Sequence, residues 1–238
     1  TSESTSNMNS IPKRYQGLSA RLTYGFRDTY MLDLNFGYTG SENFQPGRRF
    51  GFFPSVALGW VPTQYEFMKN AKWLNFLKIR ASYGTVGNDR IADKRFPYLT
   101  IVNRGSNSPW GSTSQETLIE SYIGADNLEW EVATKFDLGI EGKLFDNRID
   151  FVVDFFNDVR TGIYQQRVQV PSYVGLTSMP FSNVGEMRSY GADGNISYTE
   201  RLTKDLSLTL RGNFTYSKND IDNWEEANPA YPYQEHAG

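Results

Sequence analysis

The stretch TKFDLGIEGKLFDNRIDFVVDFF, Thr134 to Phe156, decides how this chain is read. On its first arm Phe136, Leu138 and Ile140 share one parity, while Lys135, Asp137, Gly139 and Glu141 take the other. Beyond the turn signal Phe145-Asp146-Asn147, residues Ile149, Phe151, Val153 and Phe155 alternate with Arg148, Asp150 and Asp154. Successive side chains of a strand point to opposite faces, so the stretch predicts a β-hairpin apolar on one side and charged on the other. Such a ribbon fits a membrane barrel, with lipid outside and a polar lumen within, or a soluble sandwich, with core inside and water outside. Alternation alone does not choose between them.

Composition narrows the classes. The 238 residues allow one large all-β domain or a piece of something bigger. With 24 basic and 27 acidic residues the net charge is -3, which gives no sign of a nucleic-acid partner. No apolar run reaches the length of a membrane-spanning helix. A mean hydropathy of -0.54 ordinarily marks a soluble protein, but lumen-facing residues of a barrel cancel lipid-facing ones in any average. Aromatics at 15% and 21 glycines suit strands and turns. Cysteine is absent, which removes disulfides, cysteine zinc sites and thiol nucleophiles. The single histidine, His236, leaves little from which to build a Ser-His-Asp site or a His-rich metal site. No Walker or dinucleotide glycine pattern occurs. Neither an enzyme nor a bound cofactor or metal is expected.

Six further strands are predicted outward from the hairpin arms, which run over 128–142 and 148–164. The first, 14–26, sets Leu18, Ala20, Leu22, Tyr24 and Phe26 against Gly17, Ser19, Arg21 and Thr23. The second, ending near Gly40, sets Tyr30, Leu32, Leu34, Phe36 and Tyr38 against Asp33, Asn35 and Gly37. A third spans 50–61, weakened by Pro54. The fourth, 76–87, sets Leu77, Ile79, Ala81 and Tyr83 against Lys78, Arg80 and Ser82. The seventh, 184–199, is poorly patterned. The eighth, 205–218, opposes Leu206, Leu208, Leu210, Phe214 and Tyr216 to Ser207, Thr209, Arg211, Asn213 and Thr215.

The connections alternate in size. Those at 27–28, 143–147 and 200–204 are short; those at 41–49, 88–127, 165–183 and 219 onward are long, and 62–75 is intermediate, with a helical turn expected near Glu66 to Lys69. In an up-and-down antiparallel sheet this trims one end and loads the other, as in outer-membrane barrels. Strand lengths of ten or more also suit a bilayer crossing better than a globular sheet. The barrel reading is preferred.

Particular words then resemble a known family. Tyr15-Gln16-Gly17-Leu18, Arg21-Leu22-Thr23-Tyr24-Gly25-Phe26-Arg27-Asp28-Thr29-Tyr30, Asn35-Phe36-Gly37-Tyr38-Thr39-Gly40-Ser41-Glu42-Asn43-Phe44, Arg49-Phe50-Gly51-Phe52-Phe53-Pro54-Ser55 and Leu77-Lys78-Ile79-Arg80-Ala81-Ser82-Tyr83-Gly84 with Gly87-Asn88-Asp89 are similar, in order and spacing, to the barrel of SusC/RagA-type TonB-linked outer-membrane transporters of Bacteroidetes. Asn127-Leu128-Glu129-Trp130-Glu131 and Asn183-Val184-Gly185-Glu186-Met187 resemble later words of that family. The resemblance implies a 22-stranded barrel around a plug, of which eight strands are about a third. Residues 1–238 are therefore expected to be a partial barrel domain, without plug, signal sequence, TonB-contacting segment or terminal strand. It further implies import of oligosaccharides, or else peptides, energised through TonB and lidded by a SusD-type surface lipoprotein. A small pore-forming barrel without active transport is the alternative.

Two sets of candidate residues follow. Arg21, Asp33, Arg80, Lys135, Asp137, Glu141, Asp150, Asp154 and Arg211 have lumen parity and would face a plug or the substrate path. Trp110, Tyr122, Tyr173 and Trp224 lie on long loops, where aromatics can stack on sugars or grip peptide side chains. The acidic run Asp220, Asp222, Glu225 and Glu226 offers oxygen ligands of the calcium type without an EF-hand spacing, and a solvated loop is the expected reading.

Overall fold

The computed structural model describes residues 12, 14–90, 95–125, 127–176, 178–226, 231 and 237. The polar opening at 1–10 and His236 lie outside the described residues. Among the described residues twelve strands are formed: β1 Tyr15–Phe26, β2 Tyr30–Ser41, β3 Phe50–Trp60, β4 Leu74–Asn88, β5 Ile101–Arg104, β6 Ser108–Trp110, β7 Thr113–Gln115, β8 Leu118–Tyr122, β9 Glu131–Leu144, β10 Ile149–Gln166, β11 Phe181–Arg201 and β12 Ser207–Asn223. A single helical turn, α1 Glu66–Lys69, sits where the sequence predicts one. Eight strands make one antiparallel meander in the order β1-β2-β3-β4-β9-β10-β11-β12. The excursion between β4 and β9, expected as plain loop, folds into two small hairpin sheets, β5 with β8 and β6 with β7.

Register fixes which side chains share a face. One continuous row runs Leu22, Leu34, Val56, Tyr83, Phe136, Asn157, Tyr190, Lys218 across all eight strands. Rows of the other parity contain Thr23, Asp33, Ala57, Ser82, Asp137 and, two residues further along, Gly25, Met31, Gly59, Arg80, Gly139, Asp154, Asp193. All nine charged residues singled out above occupy this second, polar face.

The apolar band does not follow the hydrogen-bonded rows. On β1 it is centred at Leu22, whereas at β12 it runs from Leu206, just before the strand, to Tyr216, with its middle about seven residues short of Lys218, the row partner of Leu22. Seven residues over seven strand-to-strand steps is about one residue per step. With strands about 4.8 Å apart and a rise of about 3.3 Å per residue, the band crosses the strands at a tilt of about 35°. Transmembrane barrel strands tilt by about this much, so a level slab of hydrocarbon matches the apolar face only if the strands lean.

Local chemistry sets the strand ends. The Arg27-Asp28 turn places both central residues at positive φ (51° each), and Thr29 N–H closes it onto Phe26 C=O. This mirror-image turn matches the twist of the flanking strands. Phe145, Asp146 and Asn147 likewise all have positive φ. β12 continues to Asn223, so Asp220 and Asp222 stand on a strand rather than in a tail.

Pro54 interrupts β3 without ending it. It has no N–H to donate, and the β3–β4 ladder stops at Ser55 and Gly84 while pairing with β2 continues. Beyond that point the seam between β3 and β4 takes the Phe53 ring, which lies against Gly51 and Gly87 where a Cβ would collide with it.

Candidate functional site

The polar face is organised by an ion pair that spans three strands. Arg80 on β4 donates from Nη2 to both carboxylate oxygens of Asp154 on β10, at 2.7 and 2.8 Å. The intervening strand β9 contributes Gly139 at that level, and any side chain there would run into the Arg80 guanidinium and the Asp154 carboxylate. Arg80 also lies 3.2 Å from Glu141, with Lys78 at 3.7 Å from the same carboxylate. Asp193 stands opposite Asp154. Elsewhere on this face Arg21 pairs with Asp33, Lys135 with Asp158 at 2.6 Å, and Lys143 with Asp150 at 3.7 Å.

Arg80 is 39% exposed and Asp154 17%, which puts the pair between the near-zero worth of surface pairs and the 3–5 kcal/mol lost on breaking buried ones. Arg80→Met should therefore cost about 2 kcal/mol, and Gly139→Val a similar amount by forcing the two ends apart. Urea titration of the intact parent protein, followed by tryptophan fluorescence, measures both. Unchanged midpoints would mean that the pair is ornamental.

At the end that bears the long connections, the chain builds a small apolar core. Phe44 and Leu128 are fully buried and Ala125 nearly so, with Tyr98, Trp130 and Tyr164 packed around them. Trp130 stacks on Phe44 at 4.8 Å and meets Phe53 edge-on at 5.2 Å. Asn183 clamps this root: its side chain accepts from Glu129 N–H at 3.0 Å and donates to Glu129 C=O at 3.0 Å and Gly162 C=O at 2.7 Å. Gly162 has φ +68° in a bulge of β10, a backbone position that suits glycine. Arg95 and Glu42, both largely buried, pair at 2.6 Å and fasten the start of the excursion to the β2–β3 loop.

Tyr122 belongs to this root. Its hydroxyl donates to Pro97 C=O at 3.0 Å and lies 2.7 Å from the Tyr164 hydroxyl. Burial is the main cause raising its hydroxyl above the ordinary tyrosine value, so it remains protonated and a donor at neutral pH. Glu225 also serves the scaffold: it pairs with Arg167 and accepts from Val168 N–H at 3.3 Å and Gln169 N–H at 2.9 Å. Asp220 pairs with Lys218 at 2.8 Å and Asp222 with Arg188 at 3.6 Å. The acidic run is thus dispersed, and among the described residues no cluster could hold a metal.

The TonB dependent receptor-like β-barrel family model matches residues 2–236. The chain belongs to that family. It is 29% identical over 202 residues to TonB-dependent receptor P3 of Formosa agariphila, and 29% identical over 205 residues to TonB-dependent receptor SusC of Bacteroides thetaiotaomicron; each match covers 84% of this chain and 20% of the relative. The solved structure of the RagAB peptide transporter superposes with a TM-score of 0.72 at 26% identity, over 87% of this chain and 22% of that one. The chain therefore spans about a fifth of the length of the curated relatives it matches, and its resemblance to the SusC/RagA type holds. These relatives are named receptors and transporters, not enzymes.

Within this barrel segment, the four loop aromatics separate. Trp110 ends β6 at the tip of its hairpin and is 78% exposed; Tyr173 is 88% exposed on the β10–β11 loop; Trp224 follows β12 with 39% exposed. Tyr122, at 5%, is spent on packing and presents no surface to a ligand. Sequence reasoning passed over Phe44 and Asn183 as functional positions and weighed Glu225 only as one carboxylate of the acidic run. For Asn183 a signal existed: two family-like words, Asn127 to Glu131 and Asn183 to Met187, meet through its two hydrogen bonds to Glu129.

Proposed function

We propose that this chain forms part of the wall and mouth of an outer-membrane importer that takes up oligosaccharides, energised through TonB and working with a SusD-type surface lipoprotein. Peptides are the second reading, supported by the RagAB neighbour, which is described as a peptide transporter. The outer-membrane location rests on the leaning apolar band, with a polar face behind it and one trimmed end. TonB coupling and the plug would reside in the length that the relatives possess beyond this segment.

The observation that carries the proposal is the two-part excursion at the mouth. Its root is packed and clamped, while its tip, 101–121, carries exposed Val102, Trp110 and Leu118 into solvent. A rigid root with an apolar, aromatic tip is suited to grip a lid protein or a sugar ring, because the ordering cost is met before binding. Removing Asn103 to Glu120 from the intact parent should abolish most uptake of its substrate and leave outer-membrane insertion unchanged. Uptake at the parental rate with normal insertion would remove the excursion from the transport path.

A further inference from the structure

The connection between β3 and β4 is longer than the other links at the trimmed end, and it folds back on the apolar face. Tyr65, immediately before α1, hydrogen-bonds through its hydroxyl to the hydroxyl of Tyr30 on β2. Its ring stacks on Phe67 at 5.6 Å, and Phe67 and Trp73 are left 71% and 56% exposed. Beside this cap the apolar face is indented by a groove of about 320 Å³, walled by Tyr24, Tyr30, Leu58, Trp60, Ile79 and Ala81 and almost wholly apolar. The groove exists because Ala81 stops at Cβ between Leu58 and Leu138, its row neighbours.

Depth follows from the lean of the band. A shift of about one residue per strand puts the middle of the hydrocarbon near Leu58 on β3 and Ala81 on β4, with Trp60 and Tyr30 progressively nearer the trimmed end. The groove thus runs from mid-membrane to the interface and terminates at paired phenol hydroxyls. Interfacial tyrosines and tryptophans favour that level. Cations stand close by in the chain: Arg27 is three residues before Tyr30, with its guanidinium over the Phe26 ring at 5.1 Å, and Lys69 closes α1.

We propose that this groove holds one acyl chain of a glycerophospholipid from the leaflet on the trimmed, periplasmic side. The Tyr30 and Tyr65 hydroxyls, with Arg27 and Lys69, receive its phosphodiester headgroup. Hydrocarbon tails are as apolar as the wall, so retention comes from fit to the indentation and from hydrogen bonds and charge at the headgroup rather than from hydrophobicity. The same arrangement accounts for the length of the 61–73 connection, which is a headgroup cap.

The proposal rests on the outer-membrane reading, and the experiment separates the two. The intact receptor is extracted into mild detergent, titrated with phosphatidylglycerol, and examined by native mass spectrometry for bound lipid. The parent should retain one lipid per chain, and Ala81→Trp, which fills the indentation, should weaken that retention about tenfold, or 1.4 kcal/mol. Ile196→Trp, which places the same ring on the same face outside the groove, should retain lipid as the parent does. Diacylglycerol, which has the tails without the phosphate, should not be retained. Equal retention by the parent and Ala81→Trp, or equal retention of diacylglycerol, overturns the site. Absence of the parent and of Ile196→Trp from the outer-membrane fraction would instead sink the membrane reading itself.

Discussion

Leu128→Ala should release the excursion between β4 and β9 while every long strand stays paired. Leu128 is fully buried against Phe44 and Ala125, with Trp130, Tyr98 and Tyr164 around it, and few other apolar side chains among the described residues are buried. The rest of the apolar surface faces outward, so this root cannot borrow stability from a larger core. Truncating a buried leucine costs about 2–5 kcal/mol, and Phe44→Ala about 3–5 kcal/mol, because the cavity adds to the lost burial. The cost falls on a local unit, whose opening equilibrium should move by at least about thirtyfold for 2 kcal/mol. Of that core only Tyr164 lies on the ladder, near the mouth end of β10, so the long strands keep the rest of their pairing. Limited proteolysis of the intact receptor in membranes should show new cleavage within 101–121, while heat-modifiable migration on gels, which reports the folded barrel, stays as in the parent. Cleavage no faster than in the parent would show that the root is not what holds the excursion.

Leu210→Arg should cost about 2–4 kcal/mol, the penalty for a cationic side chain on the lipid face at the midplane, whereas Leu206→Arg should cost about 0–1. The contrast tests the lean of the band. If rows of hydrogen-bonded partners lay level in the membrane, Lys218 would share the depth of Leu22 and Leu210 would sit near one edge. With a shift of about one residue per strand, Leu210 and Leu22 share the middle and Lys218 emerges at the mouth-side interface, where its ammonium approaches the Tyr190 ring at 5.9 Å. Leu22→Arg should then match Leu210→Arg. Folding into phospholipid vesicles against urea gives the three values, and a larger penalty at Leu206 than at Leu210 would refute the tilt.

The eight long strands, the trimmed end and the single turn of α1 were legible in the sequence to within a few residues, because strand parity is a period-two signal that each strand carries within itself. Parity also placed Arg21, Asp33, Arg80, Lys135, Asp137, Glu141, Asp150, Asp154 and Arg211 on one face before any pairing was known. It was silent where packing depends on distant residues. Tyr122 looked like a loop aromatic open to ligand and is instead a hydroxyl anchor under the excursion. Asp220 and Asp222 looked like loop carboxylates and are strand residues paired with Lys218 and Arg188.

By itself the amino-acid order determined a two-faced antiparallel sheet, its loop asymmetry and the sorting of charge from grease, since alternation and turn chemistry are local. Only the tertiary structure decided that Arg80 would reach over Gly139 to Asp154, 74 residues away, that Asn183 would fasten Glu129, and that Pro54 would open a seam for Phe53. Those outcomes depend on which strands become neighbours and at what register, and neither quantity is encoded within one strand's own period.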